Sequence, residues 1–135
     1  MRHQWTILIL LIVLGFPQES GAMEWREFKS WGGHMVESID LDSIDVTGHL
    51  VSVWSRLDFP KSRPLRVVPN GETSPVQQVN IQRINNCRDN TYATREEIYY
   101  SPNYAIVHAQ KSKTPAFRPI RPDSSPKSLQ NIACP

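Results

Sequence analysis

The sequence predicts an α+β domain that is mainly β, with an antiparallel sheet of about six strands and one C-terminal helix. Three observations lead to this fold class. Apolar and polar residues alternate with a period of two in several runs of the chain. Short turns join the last three runs, which favours an antiparallel meander because parallel strands need long crossovers. A serine-proline start and a short apolar stripe mark one helix near the C-terminus.

The first 22 residues are predicted to be a signal peptide, and residues 23–135 a single domain. A basic start precedes an apolar run at 7–16, and small residues occupy positions 20–22, where signal peptidase requires them. We therefore expect cleavage between Ala22 and Met23. The run is about half of the roughly 20 residues that a membrane-spanning helix needs, so no membrane span is expected. No cysteine lies near the cut, so no lipid anchor is expected, and the predicted location is periplasmic or secreted.

The strands are predicted from alternation and from β-branched or aromatic content. In chain order they are 25–28, 35–39, 49–59, 76–86, 91–100 and 104–110. Alternation predicts one face for Val51, Val53, Ser55, Leu57 and Phe59, and one face for Tyr92, Thr94, Glu96, Ile98 and Tyr100. Residues 60–75 contain four prolines and are predicted to be a loop or an arm, because proline lacks the N–H that a central strand donates.

One short helix is predicted just before the C-terminus. Ser124 or Ser125 can cap it, and Pro126 suits the first turn, where its missing N–H would be unpaired in any case. An apolar stripe follows at positions 129, 132 and 133. Because a helix of about ten residues is unstable alone, it must dock on the sheet.

Cys87 and Cys134 are the only cysteines of the chain. An exported protein folds in an oxidising compartment, where two thiols form a disulfide, and two cysteines allow one intrachain pairing. A reactive or metal-binding thiol would need a CxxC motif or a nearby histidine, and the sequence has neither. The predicted Cys87–Cys134 bond ties the terminal helix to the sheet and stabilises the fold by roughly 3 to 4 kcal/mol.

Charge provides little information about the partner. The formal net charge is +2, and acidic and basic residues are interspersed, so nucleic acid is not an expected partner. Local basic bias occurs in the loop with Lys61, Arg63 and Arg66, and in the tail with cations at 111, 113, 118 and 121. Each is either a solvated basic loop or a docking patch for an acidic partner or sulfated polysaccharide.

No motif nominates a catalytic centre, a cofactor or a metal site. His34, His49 and His108 lack the spacing of zinc ligands. An EF-hand loop beginning at Asp40 would need glycine at its sixth position and glutamate at its twelfth, and Asp45 and Val51 stand there. We therefore predict no enzyme, no cofactor and no bound metal.

Five short motifs follow one another along the chain: IDLDSI at 39–44, VSVWSR at 51–56, INNC at 84–87, PDSS at 122–125 and LQNIAC at 129–134. In this order they resemble the bacterial surface-adhesin protein E family. The resemblance covers about residues 24–134, nearly all of the predicted domain. It implies the same sheet with a disulfide-tied terminal helix, and binding to host matrix proteins such as vitronectin and laminin.

The sequence therefore predicts an exported, noncatalytic, adhesin-like protein that binds a host or envelope macromolecule. The partner is expected to be a protein, such as a host matrix protein. The candidate contact residues are Arg63 and Arg66 of the basic loop and Tyr99, since an aromatic beside basic loops suits a protein contact. Because the resembled adhesin carries an N-terminal lipid cysteine and this chain does not, the alternative is a periplasmic immunity protein or envelope accessory factor. An unrecognised hydrolase is the third class, and the sequence indicates no oligomeric state.

Overall fold

The computed structural model of the protein describes residues 24–66 and 72–135, and the predicted signal peptide and its cut lie outside these residues. The described residues form eight strands and one helix. In chain order these are β1 (Trp25–Trp31), β2 (Met35–Asp40), β3 (Asp45–Thr47), β4 (Leu50–Arg66), β5 (Thr73–Asn86), β6 (Thr91–Tyr100), β7 (Ile106–Lys111), β8 (Arg118–Pro119) and α1 (Ser125–Ala133). A 3-10 turn at Leu41–Ser43 follows β2.

All the strands belong to one antiparallel sheet whose main path is β1-β2-β4-β5-β6-β7. The predicted fold class, with six principal strands, is confirmed. Two short strands were not predicted: β3 pairs with β4, and β8 pairs with β6. The sequence gives no signal for β3, because it is only three residues long. A tight turn at Gly48 and His49 joins it to β4, so the strand predicted to begin at His49 begins at Leu50.

Alternation along β4 correctly predicts which side chains face the core. Val51, Val53, Ser55 and Phe59 are buried, and the residues between them are partly exposed. This regularity holds because β4 is paired on both sides over residues 55–58, where side chains must point alternately to the two faces.

Strand β6 departs from the predicted alternation. Gln82 of β5 pairs with Glu96, and Arg83 pairs with Thr94, so Arg95 is an extra residue in a β-bulge. The prediction that five alternate residues of this strand share one face is wrong, because the bulge puts Tyr92 and Thr94 on the face opposite to Glu96, Ile98 and Tyr100.

Most of the proline-rich segment predicted as a loop or an arm is strand. Beyond Asp58 of β4 and Gln78 of β5, residues 63–66 pair with residues 73–76 and form a two-stranded extension, which we call the arm. Pro64 stands opposite Pro75. Two facing prolines exchange no hydrogen bond, so they occupy a non-hydrogen-bonded pair, where a backbone N–H would point away from the partner strand. Proline is compatible with the arm for this reason.

Helix α1 is attached to the buried face of the sheet at three points. At its N-terminal end, the Ser125 hydroxyl donates a hydrogen bond to the Glu37 carboxylate. Near its centre, Leu129 is fully buried against Ile39 and Val53. At its C-terminal end, Cys134 forms the predicted disulfide with Cys87, with 5.7 Å between the Cα atoms. A helix of nine residues requires such tertiary support.

The helix cap was correctly predicted, and the apolar stripe only in part. Ser124 is the N-cap, and its hydroxyl accepts a hydrogen bond from the Lys127 N–H at 3.3 Å. Pro126 and Leu129 are buried, but Ile132 is 43% exposed. The docked face of the helix is therefore narrower than the stripe predicted.

Candidate macromolecule-binding surface

The arm concentrates positive charge at one end of the sheet. Residues 60–76 contain the cations Lys61, Arg63 and Arg66 and the acid Glu72, and their net charge of +2 equals that of the whole chain. All three cations are exposed. The tail segment at 104–121 contains four more cations and no acid, so the arm is one of two basic regions of the chain.

A wide bulge positions Lys61 and Arg63 at the base of the arm. Asp58 pairs with Gln78 and Arg63 pairs with Val76, so four residues of β4 stand opposite Gln77 alone. Two contacts hold the bulge against β5: Phe59 is buried in a cluster with Val76, and the Gln77 side chain donates a hydrogen bond to the Phe59 carbonyl. Buried anchors of this kind give the exposed part of the bulge a defined conformation.

The bulge and the β1–β2 turn enclose a basic cavity of about 310 Å³. Its lining residues are Gly33, His34, Pro60, Lys61, Ser62 and Arg63. None of them is acidic, and the Arg63 guanidinium lies 5.8 Å from the centre of the Phe59 ring, within cation–π range. The cavity thus presents two cations and a histidine to an incoming acidic group.

Tyr99 lies beneath the arm and is only partly exposed. Its ring packs against the apolar cluster that contains Phe59, and it is 5.7 Å from the ring of His108. Its hydroxyl donates a 3.0 Å hydrogen bond to Glu97. Burial, then the charge of Glu97 and the hydrogen bond to it, raises the pKa of Tyr99 to about 12.

The three predicted contact residues therefore occupy two kinds of position. Arg63 and Arg66 lie exposed on the arm, three residues apart on one strand. Tyr99 and Arg63 both contact the Phe59 cluster, Tyr99 by packing and Arg63 by lying over the Phe59 ring. Because side chains alternate along a strand, Arg63 and Arg66 point to opposite faces of the arm. Only the structure shows that His34 lies beside Arg63, and Arg66 does not line that cavity.

The sequence did not predict the cavities elsewhere on the described surface, of which two are lined by aromatic side chains and bear on binding. Of the tail cations, Arg118 and Arg121 line a cavity of about 490 Å³ beside the start of α1, together with Tyr92. On the sheet face opposite to α1, a smaller cavity of about 160 Å³ is lined by Trp25, Trp54, Asn80, Ile98 and Tyr100. The only signal for this second cavity in the sequence is that Trp54 falls on the polar side of the β4 alternation.

A buried polar group links the sheet to the start of α1. Glu37 is fully buried, and its carboxylate accepts hydrogen bonds from Arg83 at 3.2 Å, from the Trp31 indole at 3.3 Å and from the Ser125 hydroxyl. Arg83 is 9% exposed and also contacts Ser125. Because the carboxylate is fully buried and no histidine belongs to the group, we interpret it as a structural ion pair to which the partly buried Ser125 is hydrogen-bonded.

Within residues 24–66 and 72–135, no cluster of histidine, cysteine, aspartate or glutamate is arranged to hold a metal ion. The same part of the chain contains no helix that is long and apolar enough to cross a bilayer.

An antiparallel sheet with a disulfide-tied helix and a projecting charged arm is consistent with an adhesin-like surface protein. The family comparison identifies it further. The model of the surface-adhesin protein E family matches residues 25–135, and the chain belongs to this family, as the sequence motifs predicted.

Solved structures confirm the fold. A solved structure of Haemophilus influenzae protein E matches this chain with 19% sequence identity and a TM-score of 0.50. The match covers 73% of this chain and 76% of the protein E chain. Its crystal form II is 18% identical over 73% of this chain and 79% of that chain, with a TM-score of 0.51. No curated protein is similar enough to count as a relative. At these identities the structures show a shared fold.

Proposed function

We propose that this chain is an exported, noncatalytic binding protein that contacts a host or envelope macromolecule, most directly a protein, through the arm. The observation that carries this proposal is the geometry of the arm, which extends beyond the rest of the sheet and carries two exposed arginines. A projecting ribbon of this kind reaches a partner before the rest of the surface does. Membership of an adhesin family supports the same function.

The electrostatics of the arm suit an acidic partner surface. Exposed cations increase the rate of association with acidic patches and suppress contact with basic ones. Arg63 is held over Phe59, and a side chain already ordered in this way loses less conformational entropy when it binds. Tyr99 would contribute its exposed edge at the base of the arm, and its packing against the Phe59 cluster would keep the arm in place.

The contact is testable with immobilised vitronectin and laminin, the host proteins that the family resemblance implies. We expect the Arg63→Ala/Arg66→Ala double variant to slow association roughly tenfold at low salt, with a smaller effect as ionic strength rises. The matched control is Arg26→Ala/Lys113→Ala, which removes two exposed cations elsewhere on the surface. Equal slowing in both variants would show that only net charge matters, and unchanged association would refute the role of the arm.

Tyr99 is tested separately because its role combines packing and contact. Tyr99→Phe keeps the ring and removes the hydroxyl, whereas Tyr99→Ala removes both. If the ring contributes to binding, either by contact or by holding the arm in place, only Tyr99→Ala accelerates dissociation, since truncated aromatic contacts typically cost more than about 1 kcal/mol. Dissociation that is the same in both variants and the wild type would remove Tyr99 from the surface.

The location of the protein separates the two proposed settings. We propose that cleavage after Ala22 releases residues 23–135 as the mature domain. Fractionation of the producing cells, with the mass of the recovered protein measured, distinguishes a host-contacting protein at the surface or in the medium from an interaction protein retained in the periplasm. Protein found only in the periplasm would favour the immunity or accessory role over adhesion.

A further inference from the structure

We infer that the sheet face opposite to α1 carries a binding site for a neutral sugar ring, such as the terminal residue of an uncharged glycan. The site is the cavity of about 160 Å³ lined by Trp25, Trp54, Asn80, Ile98 and Tyr100. It is separate from the arm and goes beyond the proposed protein contact.

The lining residues are held on rigid elements. Trp25 belongs to β1, Trp54 to β4, Asn80 to β5, and Ile98 and Tyr100 to β6. Asn80 and Ile98 are directly paired across β5 and β6. Side chains carried by hydrogen-bonded strands keep their relative positions better than side chains on loops, so the three aromatic rings form a preformed platform.

The composition of the cavity matches both surfaces of a sugar ring. One face of a pyranose presents slightly positive C–H bonds, which favour the negative face of an indole or phenol ring. Its edges carry hydroxyl groups, which need directed hydrogen-bond partners. The Asn80 Oδ1 accepts from Gln78 at 3.0 Å, so the Asn80 NH₂ group is available to donate to a hydroxyl.

The charges around the cavity favour a neutral ligand. None of the five lining residues carries a carboxylate, ammonium or guanidinium group. The guanidinium of Arg56 lies 4.7 Å from the centre of the Trp25 ring, and its Nε donates to Asp58 at 2.8 Å. Because this cation already has a counter-ion, it offers a polar edge to hydroxyl groups and no net attraction for an anion.

The volume of the cavity limits the occupant to a small group. Sites for drug-sized ligands typically measure roughly 300 to 1,000 Å³, well above this cavity. A docked protein would bury on the order of 800 Å² on each partner, an area this shallow site does not supply by itself. A single sugar ring fits this size, and the rest of a glycan would remain outside the cavity.

Tryptophan indole signals in the NMR spectrum of the isotope-labelled mature protein provide the test. The probes are the methyl glycosides of galactose, fucose and N-acetylglucosamine, with N-acetylneuraminic acid and sulfated N-acetylglucosamine as charged counterparts. We expect saturable shifts of the Trp25 and Trp54 signals with at least one neutral probe, at a millimolar Kd. The Trp31 signal should stay in place, because its indole donates to Glu37 in the buried polar group.

Variants then locate the site. Tyr100→Ala and Asn80→Ala should each raise the Kd at least tenfold, and Tyr104→Ala, which removes a 66% exposed tyrosine outside the cavity, should leave it unchanged. Arg63→Ala/Arg66→Ala should also leave it unchanged, which separates this site from the arm. The absence of saturable shifts with every neutral probe, shifts that include Trp31 equally, or preference for the charged probes would overturn the inference. These outcomes are read from the wild type and do not depend on the folding of any variant.

Discussion

The disulfide between Cys87 and Cys134 should be a major contributor to stability, and its removal gives a direct test of how α1 is held. We expect Cys87→Ser/Cys134→Ser to fold but to lose about 4 kcal/mol of unfolding free energy. The variant should still fold because the Ser125 hydrogen bond and the burial of Leu129 still attach the helix.

The magnitude follows from the length of chain that the bond closes. The two cysteines are 47 positions apart. In the chain-entropy model, closure of a loop of roughly 15 residues stabilises by about 3 kcal/mol and of roughly 100 residues by about 4.7 kcal/mol, so this loop lies near 4 kcal/mol. Small domains have total stabilities of about 5–15 kcal/mol, so the loss is a large share of the total.

Urea denaturation at equilibrium measures the effect through the transition midpoint and slope. Wild-type protein reduced with a thiol is the control and should match the double variant, because both lack the cross-link. A loss under about 1 kcal/mol would refute the entropic argument. A variant that loses the helical signal while the sheet unfolds at the original midpoint would show that the bond acts only on the helix.

Three further predictions concern the core and the titration of a tyrosine. Leu129→Ala should cost about 2–5 kcal/mol of unfolding free energy, against under about 0.5 kcal/mol for the exposed Ile132→Ala, both measured in urea. Glu37→Leu leaves the buried Arg83 without a counter-ion, so it should lower the free energy of unfolding by about 3–5 kcal/mol. The double variant Glu37→Leu/Arg83→Met should be more stable than Glu37→Leu alone, and a less stable double variant would contradict this account. Phenolate absorbance, with the Tyr99→Phe spectrum subtracted, should give a pKa of about 12 for Tyr99. Because a tyrosine in the unfolded chain ionises near pH 10, the contribution of Tyr99 to stability should be fully present below pH 10 and lost as the pH rises through 12. Titration of Tyr99 near pH 10 in the folded protein would refute this prediction.

Features that depend on neighbouring residues were predictable from the sequence. The alternation along β4, the cap at Ser124 and the family motifs are local patterns, and the structure and the comparisons confirm them. The Cys87–Cys134 pairing was also predictable, since two cysteines allow one bond. The short β3 gave no comparable signal, because three residues are too few to establish a period.

The candidate site was predictable only in its charges. Arg63 and Arg66 stand out in the sequence, but the paired arm that presents them depends on register between β4 and β5. Likewise, alternation places Tyr99 and Tyr100 on opposite faces without showing which face is covered. The structure places Tyr99 beneath the arm and Tyr100 in the aromatic cavity.

The sequence by itself determined the fold class, the disulfide and the family, because strand periodicity, helix capping and cysteine count are properties of short segments or of composition. Only the tertiary structure decided which side chains meet across the fold. Glu37 contacts Arg83 from 46 positions away and Ser125 from 88 positions away. The bulge at Arg95 reverses the facing of part of β6 without any local sign in the sequence. Such contacts depend on strand register and helix docking, which are set by the energy of the whole packed chain and not by any one segment.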